Sequence, residues 1–229
     1  MTLARLTTTT TLTLLAAIGV AGCVSVQRPK VAAPAAVVVP AAPAKADRWL
    51  AVADAGDADR LDRLGSAWDQ GLREARLGRF AAALREEAEL LRPNAALARP
   101  APTPGSYNCR LLRLGKTDRR APALERFKPF FCYVEVENDL LTIVKQTGSE
   151  RPAGRLWEDD VTTRLIFLGS VALGNEDQPK AYGEDQARNM AGVLERVAPM
   201  RWRLVIPWPR SGAKLELFEL TPVAAQPGT

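Results

Sequence analysis

The sequence contains no histidine. That absence excludes Ser-His-Asp and Cys-His catalysis and removes His-ligated zinc sites. Acid–base chemistry is left to Asp, Glu, Lys or Tyr tuned by burial. Metal binding is left to carboxylates, which suit calcium or magnesium; no metal site and no cofactor is assigned. Cysteine is scarce, limited to Cys23, Cys109 and Cys132, and no pair has Cys-x-x-Cys spacing, which argues against a redox-active dithiol. The chain also lacks a Lys/Arg-rich run. Basic residues outnumber acidic ones 31 to 26 and the pI is about 9.4, but the signs are interleaved. Asp47–Arg99 holds ten acidic and nine basic residues, and Pro100 onward holds sixteen and eighteen. Part of the excess, Arg5, Arg28, Lys30 and Lys45, lies outside any expected domain. A surface that tracks phosphates is not expected, so nucleic acid is not a predicted partner.

What is present divides the chain. With 229 residues, 47% hydrophobic and 25% charged, it is long enough for one sizeable domain plus export and linker segments. Residues 1–22 have the three zones of a secretory signal. Arg5 is the positive zone, and Thr7 to Ile18 is apolar but diluted by threonine. That zone is too short for a transmembrane span of about 20 apolar residues. Val20-Ala21-Gly22-Cys23 resembles the lipobox of bacterial lipoproteins. The resemblance implies acylation of Cys23, so membrane lipid is an expected partner through that residue; several acyl chains would hold where one holds marginally. Val24 is not Asp, so the usual sorting rule favours the outer membrane. The competing reading is an ordinary signal peptide with an incidental cysteine. Residues 23–46 are rich in Ala, Val and Pro, and Pro29, Pro34, Pro40 and Pro43 break any helix; they read as an extended tether.

The folded part is expected over 47–222, helical in 47–99 and β-rich in 100–222, with 223–229 a flexible tail. Asp57 is the expected N-cap of a helix reaching Leu77, with an apolar stripe of Leu61, Leu64, Trp68, Leu72 and Ala75. Gly78 ends it, and Phe80, Leu84, Ala88 and Leu91 mark a second helix, suggesting an antiparallel pair. Beyond Pro100–Pro104 the period becomes two. Strands are expected over Tyr107–Leu114, Phe130–Glu137, Leu140–Thr147, Leu165–Val171, Arg201–Trp208 and Lys214–Leu220; Met190–Val197 is ambiguous between helix and strand, with strand favoured because Arg201–Trp208 follows at once. The predicted fold is α+β: an N-terminal helix pair packed on a curled antiparallel sheet or small β-barrel. Trp202 and Trp208 alternate on one expected face, where core packing is favoured over a binding strip.

With Cys23 taken by lipid, Cys109 and Cys132 fall on the first two strands. In an oxidising compartment they are expected to pair, closing a loop of 132 − 109 = 23 residues. Two polar stretches are candidate sites. The first is the acidic segment around Glu176, Asp177, Tyr182, Glu184 and Asp185, a ligand or ion loop, or an acid/base pair through Glu176 and Glu184. Its spacing fits no EF-hand. The second is the glycine-bearing stretch Gly148–Arg155, whose Arg151 and Arg155 could grip an anion, or could pair with Glu150, Glu158 and Asp159 to fix a turn.

Several motifs occur in order: PTPGSYNCR at Pro102–Arg110, TGSERPAGRL at Thr147–Leu156 and LIFLGSVALGNE at Leu165–Glu176. They continue with Ala181-Tyr182-Gly183, Glu195-Arg196 and RWRLVIPWP at Arg201–Pro209. Together, over about Trp49–Pro222, they resemble the bacterial envelope family known as domain of unknown function 4893. The resemblance implies an exported protein of Gram-negative bacteria and carries no catalytic residue. The expected function is therefore a periplasm-facing, lipid-anchored module that binds an envelope protein or small ligand. A carboxylate-dependent hydrolase acting on envelope material is the alternative.

Overall fold

The computed structural model describes residues 45–174 and 176–224. The signal segment, Cys23, nearly all of the tether and most of the tail lie outside the described residues.

Among the described residues four short helices precede the strands: α1 (Lys45–Leu50), α2 (Ala55–Asp62), α3 (Leu64–Leu77) and α4 (Ala81–Glu86), the last followed by a 3₁₀ turn at Ala88–Leu91. The single helix expected over Asp57–Leu77 is broken at Arg63. Its N-cap is Asp54, whose carboxylate accepts from the Gly56 amide at 2.8 Å. Asp57, the cap expected from the sequence, sits instead in the first turn and is buried. The apolar stripe is real. α3 buries Ala67, Trp68, Gly71, Leu72 and Ala75 at three- and four-residue steps.

Nine strands follow: β1 (Gly105–Leu114), β2 (Leu124–Arg126), β3 (Phe130–Glu137), β4 (Leu140–Lys145), β5 (Glu150–Glu158), β6 (Arg164–Leu173), β7 (Asn189–Ala198), β8 (Arg201–Pro207) and β9 (Leu215–Pro222). Every neighbouring pair is antiparallel, and β1 pairs with β3 on one side and with β9 on the other. The meander thus closes into an eight-stranded barrel, with β2 added beside the far half of β1. Closure removes the exposed edges that an open sheet would present. The segment read as a glycine-bearing loop is strand β5, paired with β6 from Glu150↔Leu173 to Glu158↔Leu165. Its alternation is hidden because Pro152 and Gly154 occupy the inner face in place of bulky apolar residues.

The barrel interior is one apolar cluster in which Tyr107, Leu156, Leu165, Phe167, Leu194, Trp202, Leu204 and Leu220 are buried. The helices cover only part of the outside. The α3 helix and the 3₁₀ turn pack on Leu112, Leu114, Val205, Leu215 and Leu217. Residues from α1 and α2 pack on Ile166, Leu168, Ala191 and Val193. Strands covered on both faces therefore read as nearly continuous apolar runs, whereas β3, uncovered outside, alternates in burial from Phe130 to Glu135.

Arg203, on the outer face of β8, ties the helical layer down. It is fully buried, pairs with Glu195 at 2.6 Å, and lies 4.9 Å from the centre of the Trp68 ring. It also donates to the carbonyls of Glu89, Leu90, Arg92 and Pro93 at 2.7–3.1 Å, taking up acceptors left over at the end of the 3₁₀ turn. A second clamp centres on buried Glu87, which Arg110 and Arg126 engage while Arg110 also reaches Glu219. Burial pushes the Glu87 carboxyl up, but hydrogen bonds and charge from Arg110 and then Arg126 outweigh it and hold it below the ordinary range. Cys109 and Cys132 form a disulfide between β1 and β3, with Cα atoms 6.1 Å apart.

Candidate functional site

The two ends of the barrel differ. At the end holding the start of β1 and the start of β8, Tyr107 and Trp202 meet edge to face with centroids 6.0 Å apart. The Tyr107 hydroxyl donates to the Thr103 carbonyl at 2.6 Å. Trp202 thus belongs to the core. Trp208 does not share its face, contrary to the alternation. β8 stops at Pro207, Trp208 takes a positive φ of 42°, and its ring turns outward to stack under Arg63 at 4.9 Å.

The opposite end is open. A cavity of about 330 Å³ lies there, floored by Leu111, Val171, Met190, Ile206 and Phe218. Its rim carries Arg60, Arg113, Lys145 and Arg210 against Glu150 and Glu216. Strand register explains the arrangement. Arg113 and Glu216 are direct partners across β1 and β9, and their side chains pair at 2.8 Å. The Arg113 guanidinium also lies 4.7 Å from the Phe127 ring centre. Lys145 is the partner of Cys132 across β3 and β4, so it enters the barrel. Its ammonium lies 4.5 Å from the Phe130 ring centre, and no ion pair reaches it among the described residues. Burial lowers the Lys145 pKa, offset in part by the charges of Glu150 and Glu216. Below it a void of about 20 Å³ extends toward Ile143, Phe167 and Leu204.

Arg60 reaches this rim from α2, pairing with Asp57 and donating to the Trp208 carbonyl at 3.2 Å. Burial lowers the Arg60 pKa, with Tyr182 and Asp54 opposing it. Asp57 is fixed in turn by the Tyr182 hydroxyl, which donates to it at 2.5 Å and accepts from the Asp54 amide at 2.8 Å. Tyr182 therefore positions the helix that supplies Arg60.

The other residues of the acidic segment do not converge. Glu176 pairs with Arg188 and accepts from the Leu173 amide at 2.9 Å. The Arg188 hydrogen bond, then that of the amide, hold its carboxyl below the ordinary range. A general acid needs the opposite shift. Asp185 caps the 3₁₀ turn at Gln186–Arg188 and faces Lys180 and Arg188 at 3.4 and 3.3 Å. Asp177 and Glu184 are exposed. Among the described residues no three Asp, Glu or Cys side chains gather as a metal site. Arg151 and Arg155 are also not a pair. Arg151 donates to the carbonyls of Gly148, Leu173, Gly174 and Glu176, whereas Arg155 pairs with Glu137 at 2.9 Å. Both arginines have partners within the chain, and these are not Glu150, Glu158 or Asp159.

The rim residues Arg60, Arg113, Lys145 and Glu216 escaped the sequence reading. A signal for three of them exists: the inner-face series Leu111-x-Arg113, Ile143-x-Lys145 and Glu216-x-Phe218 each turn charged at the same barrel end. No helix among the described residues is long and apolar enough to cross a membrane. Comparison with curated proteins and with solved structures returns no match. Residues 49–220 match the family described as a domain of unknown function, DUF4893, and the chain belongs to that family.

Proposed function

We propose that this chain is an exported, lipid-anchored envelope protein whose barrel binds a small ligand at its open mouth. The observation that carries the binding reading is the cavity of about 330 Å³, with an apolar floor and a charged rim, at one end of an otherwise filled barrel. Its size lies within the range of roughly 300–1,000 Å³ usual for small-molecule sites, and barrel mouths are favoured positions for them. The anchoring reading rests on the lipobox-like Val20–Cys23 and the Pro/Ala-rich stretch after it. The disulfide between Cys109 and Cys132 accords with an oxidising compartment outside the inner membrane. Sorting to the outer membrane follows from Val24 in place of Asp.

Nondenaturing mass spectrometry of the full chain released from membranes tests both halves. The expected spectrum has an acylated N-terminal Cys23 and a small-molecule adduct that Met190→Trp, which fills the mouth, removes. An unmodified Cys23 defeats the anchor. A bare wild-type protein, or an adduct indifferent to Met190→Trp, defeats the binding site.

A further inference from the structure

Resting on the reading of the mouth as a binding site, we infer that its ligand is a small amphiphilic monocarboxylate, its anion on Lys145 and its apolar body against the barrel floor. Charge pairing within the rim leads to this class. Arg113 is neutralised by Glu216, and Arg60 by Asp57. That leaves Lys145 and Arg210 against Glu150, a surplus of one positive charge. Arg210 and Glu150 are exposed, whereas Lys145 is half-buried.

Lys145 borders both the mouth cavity and the void beneath it, so it is the cation on the path inward. The π face of Phe130 lies 4.5 Å from its ammonium, and no carboxylate pairs with it among the described residues. An ammonium drawn from water without a carboxylate partner is stabilised by any anion that enters with it. A single such cation matches a monoanion better than a phosphate monoester. The floor sets the rest of the ligand. Leu111, Val171, Ile206 and Phe218 offer no charge, and the void below Lys145 is otherwise lined almost entirely by carbon. A cavity of about 150 Å³ holds benzene; by that scale about 330 Å³ takes roughly a dozen heavy atoms.

The probe is 4-phenylbutyrate, with 4-phenylbutanol and 4-phenylbutylamine as neutral and cationic counterparts. Each is titrated calorimetrically into the full chain held in phospholipid nanodiscs, with empty nanodiscs as the blank. The acid is expected to bind at least tenfold more tightly than the alcohol, and the amine not at all. Lys145→Met should weaken the acid at least tenfold and leave the alcohol unchanged, while Lys145→Arg stays within a few-fold of wild type. Equal affinity for acid and alcohol, or indifference to Lys145→Met, overturns the carboxylate assignment while leaving a binding mouth. If no probe binds, the inference falls; if the purified protein also carries no adduct, the site falls with it. Should Lys145→Met fail to fold, the wild-type preference for acid over alcohol decides the matter.

Discussion

Replacing Arg203 by methionine is expected to cost more stability than any other single polar change on the barrel's outer face. The side chain is fully buried, and its guanidinium meets Glu195 plus four backbone carbonyls. Methionine approximates the volume but removes every donor. Breaking a buried ion pair by deleting one partner costs about 3–5 kcal/mol, because the remaining charge is stranded. The stranded group here is Glu195, whose side chain is 12% exposed, so part of that cost is relieved by solvent. The orphaned carbonyls add to it, at about 1–3 kcal/mol for each one that finds no water. An overall loss of about 4–6 kcal/mol follows if the 3₁₀ turn reopens enough to hydrate most of them. In a domain of this size that is a fall in Tm of roughly 10–20 °C. Arg203→Lys keeps a charge near Glu195 but has three donors on one nitrogen in place of a planar fork, and about half the loss is expected. Urea unfolding followed by tryptophan fluorescence measures both variants. A loss below about 1 kcal/mol for Arg203→Met, with an unchanged denaturant slope, would refute the clamp.

Converting Cys109 and Cys132 together to alanine opens a 23-residue span and should cost about 3 kcal/mol in unfolding free energy; reductant should then affect only the wild type. Gly169→Ala would place a Cβ 2.2 Å from the Ala153 carbonyl oxygen, a backbone atom that cannot swing away. Forcing β5 and β6 apart should cost about 1–3 kcal/mol or more, seen as a lower urea midpoint. Glu87 is held ionised by Arg110 and Arg126, so its folded pKa lies below its unfolded one. Its stabilisation is complete above the unfolded value of about 4.3 and is lost as pH falls through the depressed folded value. The Tm gap between wild type and Glu87→Gln should therefore narrow as the buffer is taken from about pH 6 to about pH 3, and a constant gap would exclude the linkage.

Much of the barrel is visible in the amino-acid order because several strands carry unambiguous periodicity. Phe130 to Glu135 alternates since its outer face meets water, and Asn138, with a positive φ of 56°, marks the turn into Leu140. Met190 to Val197 is ambiguous for the opposite reason: helices cover its outside, so Ala191 and Val193 are as buried as Met190 and Leu194. β5 is hidden by Pro152 and Gly154 on its inner face. The Gly154–Gly169 pair lets the two strands approach so closely that a Cβ on either would strike backbone. Such a close approach is a property of two strands together, and neither strand reveals it alone. Closure likewise depends on Tyr107 to Leu114 meeting Pro222 to Leu215 from opposite ends of the domain.

The two polar stretches singled out in the sequence are built from the residue types that carry most of its charge. Arginines and carboxylates dominate the chain's charge, and by composition alone any of them can be a ligand contact. The fold spends most of them on itself. Arg110, Arg126, Arg201 and Arg203 fasten the helical layer or cross-link β1, β8 and β9 through glutamates on the outer wall. Arg151 and Arg188 fasten the segment between β6 and β7, with Glu176 and Asp185 as their local anchors. Composition does not distinguish a charge with a partner nearby in the chain, such as Glu176 with Arg188, from one with no partner. Among the rim residues the half-buried cation that pairing leaves over is Lys145, a lysine that periodicity alone assigns to an ordinary strand.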